Sequence, residues 1–282
     1  MRRRYNRQPV VGQLVPSMPN SYTERTSRPI YALLYLLGFL VFYEIGIFFI
    51  QPEALTQSLI QPEGQVVAFY WVRMVLQWLG FSTRMTWIAA PLMVIVILLA
   101  LQVTSKSSWR VKWGDFVLMT GECILLSVPL IVLSLLLNRA VSEPNAAAPA
   151  AAAVGGNSLL MDIVTGIGAG IYEELVFRLV LICLLMLLFQ DVFGLKKTTA
   201  VFWSVVISAV AFSIHHHIFY ANGQLYRGDT FTIGKFMFRA LAGVYFAVLY
   251  AVRGFGVTAG THAFYNILAA LLRMMVFTVR FH

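Results

Sequence analysis

Charge is scarce in this sequence. Of its 282 residues only 12% are Asp, Glu, Lys or Arg, about half the share of an ordinary soluble domain. Hydrophobic residues make up 59%. A water-soluble globule of this size could not clothe its surface with so few charges, so the composition excludes a soluble enzyme or binding module and points to an integral membrane protein. Cysteine is nearly absent too. Cys123 and Cys183 both lie inside apolar runs, offer no disulfide framework or CxxC pair, and read as small buried side chains. The net charge of +9 would suit nucleic acid, but its placement argues against that partner. Arg2, Arg3, Arg4, Arg7, Arg25 and Arg28 all precede the first apolar run, which is the positive-inside pattern beside anionic lipid. Membrane lipids are the expected surroundings, nucleic acid is not an expected partner, and the N-terminus is expected on the cytoplasmic side. The basic start is followed by a run long enough to stay in the bilayer, which reads against a cleaved signal peptide.

Long apolar runs are what the sequence has instead. They cover about Ile30–Ile50, Thr86–Val103, Phe116–Leu137, Leu159–Phe189, Thr199–Phe219, Phe236–Val252 and Val257–Phe277. Each approaches the ~20 residues that cross a bilayer as a helix. Residues 65–81 are apolar but carry Arg73 and Gln77 among Trp and Tyr. They read as an interfacial or partly inserted helix, with a full span as the alternative. The fold class is therefore all-α, a polytopic transmembrane bundle of seven to eight spans. With seven, the basic N-terminus, Lys106–Lys112, Lys196–Lys197 and Arg253 fall on one side. Residues 1–28 read as a mobile basic cytoplasmic tail. Residues 29–157 read as N-terminal spans ending in a flexible Ala/Pro/Gly loop, Ser142–Asn157, and residues 158–282 as the part that carries chemistry.

That part holds ionisable residues where lipid should exclude them. The run 159–189 contains GIYEELVFRLVL, with Glu173, Glu174 and Arg178. A charge at the bilayer centre costs roughly 2.5–3.5 kcal/mol on insertion scales, so these residues must face protein or a water-filled cavity. Glu174 and Arg178 are four apart and share a helix face. Glu173 is turned about 100° away and is left for another task. FSIHHH places His215, His216 and His217 at the end of the next run. THAFYN sets His262 and Asn266 four apart near the start of the last. A carboxylate and an imidazole can orient and deprotonate a water, and a second His with an Asn can donate to an oxyanion. Hydrolysis without a Ser or Cys nucleophile is the chemistry this set suits. Glu44 and Glu122 also sit in apolar runs and read as hydrogen-bonding groups between helices.

In these three segments the chain resembles the CAAX protease and bacteriocin-processing family of intramembrane proteases, which includes the type II CAAX prenyl endopeptidases. The family's motifs EExxxR, FxxxH and HxxxN read here as Glu173–Arg178, Phe212–His216 and His262–Asn266, in the family's order, within a stretch from about Leu159 to the C-terminus. The resemblance implies an endopeptidase acting on a lipid-anchored or membrane-embedded peptide. Glu173 and His216 would activate the water, His262 and Asn266 would form the oxyanion site, and Glu174 and Arg178 would hold the site together. No cofactor is assumed. A zinc on Glu173, His216 and His262 is the metal alternative, although HExxH is missing and the ligands would come from three helices. The HHH run leaves His215 and His217 as substitutes for His216, and the polar loop Tyr220–Thr232 could gate the site. Two other function classes stay open. A proton- or ion-coupled transporter would use the same buried charges, but its inverted repeats are missing. A non-catalytic bacteriocin-immunity protein would be expected to lose motif residues, and none is lost. A haem held by His216 and His262 would leave Glu173 and Glu174 unexplained.

Overall fold

The computed structural model describes residues 18, 20–50, 66–139, 157–221 and 224–280. Among these, ten α-helices and one β-hairpin follow in order: α1 Tyr22–Thr26, α2 Pro29–Ile50, α3 Val67–Trp78, α4 Thr83–Ser105, α5 Gly114–Arg139, α6 Asn157–Glu174, α7 Ile182–Leu187, α8 Lys197–His215, β1 Ile218–Ala221, β2 Gln224–Arg227, α9 Ile233–Arg253 and α10 Phe255–Arg280. A π-helical segment, Leu175–Leu181, joins α6 to α7, and a second, Leu188–Val192, extends α7, so that they form one long rod. Seven helical stretches are long and apolar enough to cross a membrane, the longest being Leu159–Val192. The chain is a polytopic helical bundle and a multi-pass integral membrane protein.

The helices expose apolar side chains outward, among them Ile88, Val117, Leu125 and Phe49, as a lipid-facing surface requires. The last span is the most enclosed: 56% of its apolar window is buried, against 22–39% in the others. It packs on α2, α5, α6 and α9, so α10 is the central post. Its approach to α6 depends on small residues. A Cβ on Gly170 would lie 2.6 Å from the Ala263 backbone nitrogen, and one on Gly166 would lie 2.7 Å from Asn266 Cβ. Two glycines one turn apart let the backbones touch, which sets Glu174 opposite His262. We expect Gly170→Val to separate α6 from α10 and to destabilise the protein by at least about 1–3 kcal/mol, the usual cost of overpacking. A lowered thermal midpoint in detergent is the measurement.

Several expectations need correction. The last part of the expected tail is not a tail: Tyr22–Thr26 form α1, and Arg28 is buried. Basic composition suggested a solvated arm, but these residues find acidic partners far along the chain. Arg25 pairs with Asp115 at 2.8 Å, and the Tyr22 hydroxyl donates to Glu122 at 2.7 Å. Glu122 also pairs with Arg253 at 2.6 Å, and Glu44 accepts from the Tyr172 hydroxyl at 3.4 Å, so both carboxylates do bond between helices. Cys123 is buried, but Cys183 is exposed, because it lies on the outward face of α7. The expected span Thr199–Phe219 ends earlier, at His215. There the chain turns into the hairpin, whose following residues take the helix-end carbonyls: Asp229 N–H donates to His216 O, and Gly228 N–H to His217 O. The polar loop expected at Tyr220–Thr232 therefore overlaps a strand pair, Ile218–Ala221 with Gln224–Arg227, in the register Ile218↔Arg227. The expected loop Ser142–Asn157 falls outside the described residues, except for Asn157.

The segment 65–81 forms the 12-residue helix α3, about 18 Å long at ~1.5 Å per residue and too short for a ~30 Å hydrocarbon core. It packs on α4 and α6. Arg73 is buried with its guanidinium 4.0 Å from the Trp87 ring centroid and its Nε donating to Thr86 Oγ1 at 3.1 Å. Trp71 donates from Nε1 to the Tyr220 carbonyl at 3.1 Å, which ties α3 to the hairpin.

Candidate active site

Helical geometry puts Glu173 and Glu174 on different faces, and the packing gives each face its own partners. Glu174 turns toward α10 and toward Arg178. Its Oε1 lies 2.8 Å from His262 Nδ1, and its Oε2 lies 3.1 Å from Arg178 Nε. Both side chains of the Glu174–Arg178 pair are fully buried. The ion pair is close but poorly aligned for a hydrogen bond, so Glu174 Oε2 and Arg178 Nε and Nη1 have no hydrogen-bond partner. Arg178 is held in other ways. Its Nη2 donates to the Gly243 carbonyl on α9 at 3.2 Å, and its guanidinium carbon sits 4.3 Å from the Phe212 ring centroid. The π-helical segment starts directly after Glu174. Such widened turns free backbone carbonyls, and here Ser208 on α8 donates to the Phe177 carbonyl at 2.8 Å.

Glu173 turns the other way, into a ring of imidazoles. His215 Nε2 lies 3.5 Å from Glu173 Oε1. His216 Nε2 and His262 Nε2 lie 3.9 and 3.8 Å from Glu173 Oε2. The tautomers follow from the other ring nitrogens. The Nδ1 atoms of His215 and His216 both approach the Phe212 carbonyl, His216 at 2.9 Å. A carbonyl only accepts, so Nδ1 carries the proton in each ring. His262 Nδ1 faces a carboxylate, with the same result. In the neutral form all three rings therefore present an unprotonated Nε2 to the carboxylate. Glu173 Oε2 itself is buried without a hydrogen-bond partner.

The structure thus brings Glu173, Glu174, Arg178, His216 and His262 together, and His215 joins them. His217 does not: its Nδ1 lies 3.0 Å from the Asp229 carbonyl, and its ring packs on Phe231 and Phe236. Asn266 sits one turn along α10 from His262 and donates to the Gly166 carbonyl at 2.9 Å. It makes no hydrogen bond with the Glu173 cluster among the described residues. Donor atoms of Glu173, His215 and His216 all lie within 4.8 Å of one another, as around a metal ion. This set has His215 where the sequence suggested His262.

The sequence reading passed over the aromatic walls. Phe246 stacks on His262, centroids 4.5 Å apart and planes 21° from parallel. Phe177 and Trp71 flank His215 at 4.7 and 5.8 Å. Phe177 lies within the EELVFR stretch and Trp71 within the aromatic run 65–81, but nothing in their spacing says that they meet.

Comparison with known proteins bears on the same part of the chain. No curated protein and no solved structure matches the chain. Residues 155–268 match the model of one family, described as type II CAAX prenyl endopeptidase Rce1-like. The matched stretch contains every residue of the cluster, Trp71 aside. Residues 155–268 of this membrane protein are therefore similar to the type II CAAX prenyl endopeptidase Rce1-like family.

Proposed function

We propose that the chain is an intramembrane endopeptidase that hydrolyses a peptide bond on the C-terminal side of a lipid-modified cysteine, with Glu173 as general base. One observation carries the reading. A buried carboxylate oxygen without a hydrogen-bond partner lies 3.8–3.9 Å from two imidazole Nε2 atoms. Acceptors do not face acceptors unless a donor or cation joins them. A water molecule has two protons to offer, one to Glu173 and one to an Nε2, and its lone pair is then left for a carbonyl carbon. Glu173 takes the proton as the C–O bond forms, and passes it to the leaving amine as the C–N bond breaks. His216, the most exposed of the three rings with a quarter of its side chain accessible, is the partner at the entrance. His262, oriented at Nδ1 by Glu174, presents its Nε2 on the oxyanion side of the same site. Asn266 acts as a strut that seats α10 against α6.

A metal-dependent reading has its own support. The donors of Glu173, His215 and His216 are close enough to hold a divalent cation, and each ring is oriented through Nδ1 by a backbone carbonyl, as metal-bound histidines commonly are. Such an ion would supply Lewis-acid activation of the water. Dialysis against a chelator, followed by a cleavage assay on a farnesylated C-terminal peptide, separates the two. The Glu173-base reading predicts an unchanged rate. Loss of cleavage restored by zinc would make Glu173, His215 and His216 ligands. A site within membrane-spanning helices suits a peptide held in or at the bilayer by its lipid. By the positive-inside rule, the end of the bundle that carries Arg25, Arg110, Lys112, Lys196 and Lys197 is cytoplasmic, with the N-terminus on that side.

A further inference from the structure

At the basic end of the bundle a second polar site is built from parts distant in sequence. A cavity of about 380 Å³ is lined by Asn20, Arg25, Arg28, Ser108, Arg110 and Lys112, within the ~300–1,000 Å³ range of ligand sites. Four of the six lining residues are cations and none is a carboxylate. The two inner arginines are balanced from behind. Arg25 makes two contacts to Asp115, at 2.8 and 2.9 Å, and Arg28 makes two to Glu24, at 3.2 and 2.7 Å. The two outer cations are not balanced: Arg110 and Lys112 are exposed and form no ion pair among the described residues. The site therefore carries an excess of two positive charges.

Its walls are fixed before any ligand arrives. Lys112 N–H donates to the Tyr31 hydroxyl at 2.8 Å, and that hydroxyl donates to Asp115 Oδ2 at 2.8 Å. Gln102, buried in α4, holds the loop through the Ser107 carbonyl at 3.0 Å. The loop reads Trp-Arg-Val-Lys-Trp from 109 to 113, and Trp109 and Trp113 are 54% and 73% exposed. Tryptophan in such positions settles at the headgroup level of a bilayer. The loop joins the end of α4 to the start of α5, which is that level. The cations between the two tryptophans are thus held where lipid phosphates lie.

We propose that this cavity binds a phosphate ester anion, delivered as the headgroup of an anionic phospholipid, between α1 and the α4–α5 loop. The test uses the full-length protein in detergent micelles doped with phosphatidylglycerol, with phosphatidylcholine, or with inorganic phosphate at matched concentration. Lipid retention is read by native mass spectrometry and binding by the shift in thermal midpoint. Phosphatidylglycerol is expected to be retained and to raise the midpoint, while the other two do neither. The double variant Arg110→Ala/Lys112→Ala is expected to bind phosphatidylglycerol about 10- to 30-fold more weakly, as follows from the ~1 kcal/mol that each basic residue contributes near an anionic surface. Lys196→Ala/Lys197→Ala removes the same charge from another loop at this end and is expected to bind like the unmodified protein. Equal weakening in both variants would assign the effect to general surface charge and overturn the site. Unchanged binding in the first variant, or retention of phosphatidylcholine to the same extent, would overturn it too. An equal shift from inorganic phosphate would overturn the lipid assignment.

Discussion

Arg178→Ala is expected to destabilise the protein by about 3–5 kcal/mol, the cost of breaking a buried ion pair by removing one partner. The reason lies in what would remain. Glu174 is fully enclosed, and among the described residues Arg178 and the His262 ring are the basic side chains in contact with it. Without the guanidinium the carboxylate would keep a single hydrogen bond, from His262. The Gly243 carbonyl would lose its donor, and the Phe212 ring would lose the cation packed on its face. Arg178→Lys is not a mild change here, because an ammonium cannot reach Glu174 and Gly243 from one planar group. Thermal unfolding in a fixed detergent measures the effect, and a midpoint within a degree of the unmodified protein would contradict it. Activity is expected to fall as well, since Glu174 orients His262.

Glu173→Gln is expected to lower the cleavage rate by about 10²–10⁴-fold, the usual contribution of a positioned general base, with little change in thermal midpoint. The substitution keeps shape and hydrogen-bonding reach but removes the group that takes a proton from water. It also removes a negative charge from among three imidazoles, so the fold has no new unpaired acid to bury. The contrast between the two variants is informative. Loss at Arg178 is predicted in both stability and rate; loss at Glu173 is predicted in rate alone. A Glu173→Gln protein that still cleaves at a tenth of the normal rate would remove Glu173 from the base role.

The spans were legible in the sequence because their apolar runs match the bilayer thickness. Pairing of Glu174 with Arg178 was legible because four residues make about one helical turn. The rest depended on contacts between distant segments. Three consecutive histidines point about 100° apart on a helix, so the sequence could not choose among them. The choice is made where α8 ends: His215 and His216 fold back on the Phe212 carbonyl, while His217 is taken by Asp229. The hairpin did leave a signal. Asn222-Gly223 stands between two strand-like stretches rich in Phe and Tyr, the two-residue turn signature, but the polar residues that follow made the whole stretch read as a loop. Cys183 was misread because lipid-facing and protein-facing positions are equally apolar in a membrane helix, so hydropathy cannot tell them apart. The folded Tyr22–Thr26 segment was hidden for a different reason: Arg25 looks solvated until Asp115, ninety residues on, is brought beside it.

The most direct measurement is mass-spectrometric mapping of the products when the purified protein, in liposomes, meets a peptide with a farnesylated cysteine near its C-terminus. The account predicts one cut, on the C-terminal side of the modified cysteine, seen with the unmodified protein and missing in a folded Glu173→Gln preparation. An intact peptide with folded wild-type protein, or the same cut in both preparations, would contradict it.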